Sequence, residues 1–215
     1  MPKNNIMLTP GPTPLPPSVL EAMSVPLIHH RTEEFGRMFA GVIEDMKWVY
    51  RTKSDVLMMT CSGSGSMEAA VTNLLSPGDA TIVCSTGAFG DRFVNIHKAF
   101  GLSPKVLSFE WGTAVDADAL RAALKETKGV KAVFIQHTDT STGVVNDLKA
   151  LAAVVKAESD ALVVVDSVSG LACEPLEMDL WGLDAVVTGS QKGLMNAPGL
   201  GFAAVSPKAW KAVDA

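Results

Sequence analysis

Two apolar runs in the second half of the chain, Leu162-Val163-Val164-Val165-Asp166 and Asp184-Ala185-Val186-Val187-Thr188-Gly189-Ser190-Gln191-Lys192, keep their hydrophobicity without alternation and then end in a chemically equipped residue. They are too short and too β-branched for buried helices, so the pattern predicts interior strands of a sheet covered on both faces. Residues 167–182 lie between them, more than the roughly dozen positions that a crossover between parallel strands needs. Parallel strands would bring Asp166 and Lys192 to one carboxyl edge of the sheet, where open α/β folds place their ligands.

The same reading extends to the rest of the chain. Residues 55–60, 80–84 and 131–136 predict further buried strands, 105–109 a short one and 199–206 another. Between them, helical spacing covers 67–75, 91–100, 116–125 and 148–156, and Pro207 suits the first position of a last helix. Residues 35–49 carry an apolar face of Phe35, Met38, Phe39, Val42, Ile43, Met46 and Val49, with the methionines expected as core filler. Prolines at 10, 12, 14, 16 and 17 exclude helix and central strand from residues 1–17, which should lie as an extended arm. Ser18 and Glu21 then have the spacing of a capping box, and His29-His30-Arg31 reads as a solvated turn. Strand and helix alternate from residue 55 onward, which predicts an α/β fold of three layers, a mainly parallel sheet with helices on both faces, over residues 18–215. The final helix has little to terminate it, so the chain is expected to be cut rather than completed.

Composition narrows the partners. The chain is 47% apolar with a net charge of −5 and no basic cluster, which argues against nucleic acid and anionic membranes. No apolar run reaches the roughly 18 residues of a membrane helix, and the N-terminus lacks the apolar core of a signal peptide. Cys61, Cys84 and Cys173 are odd in number, far apart and in apolar settings, which favours reduced core thiols in a cytoplasmic protein over disulfides or a metal site.

An acid and a lysine at one sheet edge suit a ring nitrogen kept protonated and a carbonyl captured by an amine, the pairing that pyridoxal phosphate chemistry needs. Strand-end aspartates also serve as turn caps, and most Ser-Gln-Lys triplets are surface loops. Cys61-Ser62-Gly63-Ser64-Gly65-Ser66, between a strand and a helix, could cradle an anion with its hydroxyls and free helix amides. It has neither the Gly-Lys-Ser/Thr ending of a phosphate loop nor the third glycine of a dinucleotide fingerprint, and a plain strand-to-helix turn fits as well. Phe89, among small residues, reads either as a core anchor or as a stacking face for a flat ring. The strand ends at 60, 84 and 136 all lead into loops of Ser, Thr and Gly, so one polar pocket at that edge is expected.

Taken in order, Pro10-Gly11-Pro12, Ser62-Gly63-Ser64 before Glu68-Ala69-Ala70, Ser141-Thr142-Gly143, Asp166-Ser167-Val168-Ser169 and Gly189-Ser190-Gln191-Lys192 resemble the class V aminotransferases of pyridoxal phosphate fold type I, most nearly their serine/alanine-glyoxylate branch. The resemblance implies the large domain of that fold, with the small C-terminal domain of family members expected to be absent from this chain, pyridoxal 5'-phosphate as cofactor, and amino transfer from serine or alanine to glyoxylate by a ping-pong route. It also implies a homodimer with shared active sites. Lys192 would be the Schiff-base lysine and proton shuttle, and Asp166 the partner of the pyridine nitrogen. Phe89 would stack on the ring where the family commonly has Trp, with Val168 on the opposite face. Ser62, Gly63, Ser64 and Gln191 would hold the phosphate, Ser64 replacing a frequent His; Thr140 would lie near the phenolic oxygen and Gly11 would line the substrate site. The carboxylate-binding arginine has no counterpart, since Arg31 and Arg92 do not match its motif, so this piece alone is expected to be a poor catalyst. Two alternatives remain open: a lyase or cysteine desulfurase of the same class, and a non-catalytic nucleotide- or phosphate-binding module.

Overall fold

In the computed structural model, which describes residues 7–214, strands β1 (Asp55–Met59), β2 (Ala80–Ser85), β3 (Lys105–Ser108), β4 (Val130–Gln136), β7 (Leu162–Asp166), β8 (Ala185–Gly189) and β9 (Gly201–Val205) form one sheet. Its order is β1-β9-β8-β7-β4-β2-β3. Only β9 runs against its neighbours, pairing antiparallel with both β8 and β1, so β1 points the same way as β8. The remaining pairs are parallel. A separate two-stranded hairpin, β5 (Thr138–Asp139) with β6 (Val144–Val145), occupies the stretch read from sequence as a loop.

The unbroken apolar runs are explained by two cores, one on each face. Ile82, Val133, Ile135, Val163, Val165 and Val186 point to the face covered by α2 (Glu33–Tyr50), α5 (Ala117–Glu126) and α6 (Leu148–Glu158). Their neighbours Val83, Phe134, Val164 and Val187 point to the face covered by α3 (Gly63–Leu74), α4 (Ala88–Ala99) and α8 (Pro207–Val213). Strands buried on both sides cannot alternate polar and apolar residues. Following this alternation, Gln136 and Asp166, paired in register, top the second face between the N-termini of α3 and α4.

Several expectations need correction. α1 (Pro17–Met23) begins at Pro17, with Pro16 as N-cap and no side-chain cap, so Ser18 and Glu21 form no capping box. Proline tolerates a first helical position because the amide it lacks would be unbonded there anyway. α2 starts at Glu33, where the Thr32 hydroxyl accepts from the Phe35 amide at 3.3 Å. Met46 is buried in its core face, but Met38 is 48% exposed, so the outer half of that face fills no core within this chain. Both α3 and α4 start earlier than periodicity suggests, because their first turns are made of small residues with no apolar repeat. The crossover between β7 and β8 holds only the short α7 (Met178–Trp181), which the sequence reading did not identify. Of the cysteines only Cys84 is buried; Cys61 is half-buried and Cys173 exposed, so the expectation of core thiols holds for one. No helix among the described residues is long and apolar enough to cross a membrane.

Phe134, fully buried, meets the Phe93 ring edge-on at 5.1 Å and the His97 ring at 4.5 Å, beneath the future site. Phe134→Ala should cost about 3–5 kcal/mol through lost burial and a residual cavity. A urea midpoint within experimental error of the parent would contradict this account of the core.

Candidate active site

The carboxyl ends of β1, β4, β7 and β8 converge, and small residues let their loops touch. Ser62 caps α3, its hydroxyl accepting from the Gly65 amide at 3.2 Å, while the amides of Gly63 and Ser64 have no protein acceptor among the described residues. A Cβ on Gly63 would lie 2.7 Å from Val168 Cγ2, and one on Gly189 would lie 3.1 Å from the Gly63 nitrogen. Glycine is therefore what allows the α3 turn, the loop after Asp166 and the end of β8 to meet.

Asp166 is 3% exposed. Burial pushes its carboxyl up to about 6, opposed by the Val168 amide that donates to Oδ1 at 2.9 Å; the nearby Asp139 charge raises it further, while Arg92 and Lys192 lower it. Lys192 is shifted down from the usual lysine range by burial, with Asp166 pulling the other way. The two groups thus share one local field. Lys192 Nζ donates to the Pro10 carbonyl at 3.1 Å. Thr13 donates its amide to the Gln191 carbonyl at 3.0 Å and its hydroxyl to the Lys192 carbonyl at 3.2 Å. The described part of the N-terminal arm therefore lies along the lysine loop, its residues 1–6 falling outside the described span. Gly11 has φ +149°, and a Cβ there would come within 2.5 Å of Lys192 Cδ, so both conformation and space demand glycine.

Phe89 sits in the first turn of α4, whose N-cap, Gly87, offers no side chain. The missing cap comes from the hairpin. Asp139, fully buried, accepts from the amides of Phe89 at 3.0 Å and Gly90 at 3.1 Å through Oδ2. Its Oδ1 accepts from the Ser141 hydroxyl at 2.6 Å, and that hydroxyl accepts from the Ala88 amide at 2.9 Å. Reading the sequence missed Asp139 because its role needs a helix start fifty positions away; the signal was a helix without a capping residue. Thr140 is hydrogen-bonded through its hydroxyl to Ser169. His137, held against the Ser167 hydroxyl at 3.0 Å and pushed down to about 4 by burial, was also overlooked as part of the support.

A cavity of about 180 Å³ is lined by Ser62, Gly63, Ser64, Phe89, Val168, Gln191 and Lys192, with Met67 and Arg92 completing it. All but three of the expected site residues therefore share one space. Asp166 reaches it through Val168, Gly11 abuts Lys192, and Thr140 is tied to Ser169, which with Lys192 and Cys173 lines a second cavity of about 400 Å³. A larger hollow of about 620 Å³, with Lys53, Lys156, Lys208 and Lys211, lies at the opposite edge and contains none of these groups. The residues fit a flat phosphorylated cation. The free amides of the α3 turn mark the polar end, Phe89 and Val168 supply apolar lining, and Asp166 is a buried carboxyl with no salt-bridge partner among the described residues.

Because the folded state holds the Asp166 proton more tightly than the unfolded chain, stability of the cofactor-free protein falls as pH rises from about 4 to about 6 and stays lower above that. Asp166→Asn keeps the bond from Val168 and removes this dependence. It should gain up to about 3 kcal/mol at neutral pH while losing activity. Urea midpoints at pH 4.5 and 7 check this; an unchanged pH dependence in the variant would reject the assignment. Gly11→Ala should displace Lys192 and weaken cofactor retention, read by absorbance after dialysis.

Known proteins match along nearly the whole chain, with residues 6–214 fitting the family described as aminotransferase class-V. The soluble hydrogenase 42 kDa subunit of Anabaena cylindrica is 47% identical over 209 residues, covering 96% of this chain and 55% of that one. The L-aspartate–glyoxylate aminotransferase of Paracoccus denitrificans is 38% identical, covering 100% and 55%. The crystal structure of alanine–glyoxylate aminotransferase from Nostoc superposes with a TM-score of 0.92 at 28% identity, over 100% of this chain and 58% of that one. The chain thus spans about half the length of the curated relatives it matches. A family match over almost every residue, on a mainly parallel sheet carrying these loops at one edge, places the chain in the class V aminotransferases of fold type I, whose members depend on pyridoxal phosphate.

Proposed function

We propose that residues 18–215 form the large cofactor domain of a transaminase that moves an amino group from a small amino acid, serine or alanine, to glyoxylate in two half-reactions. The observation that carries this reading is the shared field of Asp166 and Lys192, one buried at a strand tip and the other lining the adjoining cavity. Glyoxylate is proposed as acceptor because relatives such as the Paracoccus and Nostoc enzymes are glyoxylate aminotransferases.

Pyridoxal phosphate, when bound, supplies an electron sink for the charge left on a substrate carbon that has lost its proton. This chain's residues do the rest. Lys192, shifted down by burial, presents more unprotonated amine at neutral pH than an exposed lysine, which suits it both to hold a carbonyl carbon and to carry a proton at Nζ. Asp166 would give a ring N–H a buried acceptor, and its carboxylate, otherwise costly to bury, would be compensated by a cation there. Phe89 and Val168 offer apolar surfaces to the cavity, and the α3 turn offers free amides to an anion. Gly11 and the arm close the side of Lys192 away from that turn. Assembly as a homodimer belongs to the same proposal and is tested by sedimentation of the full protein.

Borohydride treatment of the loaded protein should fix the cofactor on Lys192, located by peptide mass, and Lys192→Ala should abolish both the labelling and turnover. Labelling elsewhere, or undiminished turnover in the variant, would overturn the reading. Initial rates with serine or alanine against glyoxylate should give parallel double-reciprocal lines, whereas intersecting lines would exclude two separate half-reactions.

A further inference from the structure

Arg92 belongs to none of the roles assigned above, yet it stands in the middle of the cavity's polar end. Its guanidinium donates to the Ser64 hydroxyl at 2.7 Å and rests 4.5 Å from the centroid of the Phe89 ring. It lines the same small cavity as Ser62, Gly63, Ser64 and Gln191. Apart from Lys192, no cationic side chain lines that space among the described residues, and Lys192 is committed to the carbonyl end. The backbone under Arg92 is anchored, because Asp139 fixes the first turn of α4, whereas its side chain is long and exposed.

We propose that Arg92 supplies the positive charge that balances the cofactor's phosphate in this protein, reaching it from the Ser64 hydroxyl that it already holds. A phosphate dianion placed against the Gly63 and Ser64 amides has neutral donors on that side and needs a charge-assisted partner on another. A guanidinium fork can keep one N–H on Ser64 and turn others to phosphate oxygens, which an ammonium does less well. The same side chain covers a face of Phe89, and leaving that face for the phosphate would exchange a cation–π contact for an ion pair. The inference rests on the cofactor reading given above.

The test compares pyridoxal phosphate with pyridoxal, which has the ring and carbonyl but no phosphate, by equilibrium titration of the cofactor-free full-length protein. Arg92→Met should weaken pyridoxal phosphate by about tenfold or more, the loss of a hydrogen-bonded charge, while leaving pyridoxal little changed. Arg92→Lys should recover part of that loss, and inorganic phosphate should compete with pyridoxal phosphate less well in the Met variant than in the parent. Equal losses for both ligands, or no loss for either, would overturn the proposal. If the parent protein itself fails to retain pyridoxal phosphate, the functional reading falls first, so the two failures are distinguishable. Arg92 is exposed and makes no core contact, so both variants should fold; thermal melts matching the parent verify this, and a melt lowered in both would assign Arg92 a structural role instead.

Discussion

A carboxylate buried at the tip of a central strand is the constraint around which this molecule is arranged. Asp166 is nearly free of solvent, accepts one backbone N–H and has no cation in direct contact among the described residues, so its charge is under-compensated there. Burying an ionised group this way is costly unless a partner arrives. The strands that enclose it, the glycine at the α3 turn and the aromatic at the start of α4 all define a space where such a partner would be a flat cation. The Asp166 carboxylate is thus held at an electrostatic cost that such a partner would offset.

The support around that group works through backbone rather than side-chain bulk. Gly63, Gly189 and Gly90 permit approaches that a Cβ would prevent: 2.7 Å from Val168, 3.1 Å from the Gly63 nitrogen and 2.5 Å from the Ser85 Cα. Asp139 replaces the cap that Gly87 cannot supply and so fixes where Phe89 stands. A second acid near Asp166 raises its proton affinity, while Arg92 and Lys192 oppose it, so the same residues that set geometry also set charge.

Much of this was legible in the sequence, for identifiable reasons. β-branched runs such as 162–166 and 184–189 fit doubly covered strands, and a crossover long enough to keep them parallel brings their polar termini to one edge. The alternation of residues between two cores confirms this directly. Helix starts were less legible because Gly63-Ser64-Gly65-Ser66 and Ala88-Phe89-Gly90 carry no apolar period, and periodicity is the signal that local reading uses. The loop that holds His137 and Asp139 was legible as part of the pocket edge, but the roles of Asp139, Arg92 and His137 were not: each acts through a partner distant in sequence, and contacts of that kind leave no local trace. The reversed strand β9 belongs to the same class, since direction in a sheet is decided by neighbours and not by the residues of the strand itself.

The bonds from Thr13 to the carbonyls of Gln191 and Lys192 join the proline-rich N-terminal stretch to the loop that carries the amine. Those carbonyls have no strand neighbour to turn to, so the leader acts as a latch: if it lifts, the lysine loop loses its outer tether. Protease nicking near Pro10 thereby becomes a remote reporter on how rigidly that loop is held, and anything that stiffens the loop must slow the cut.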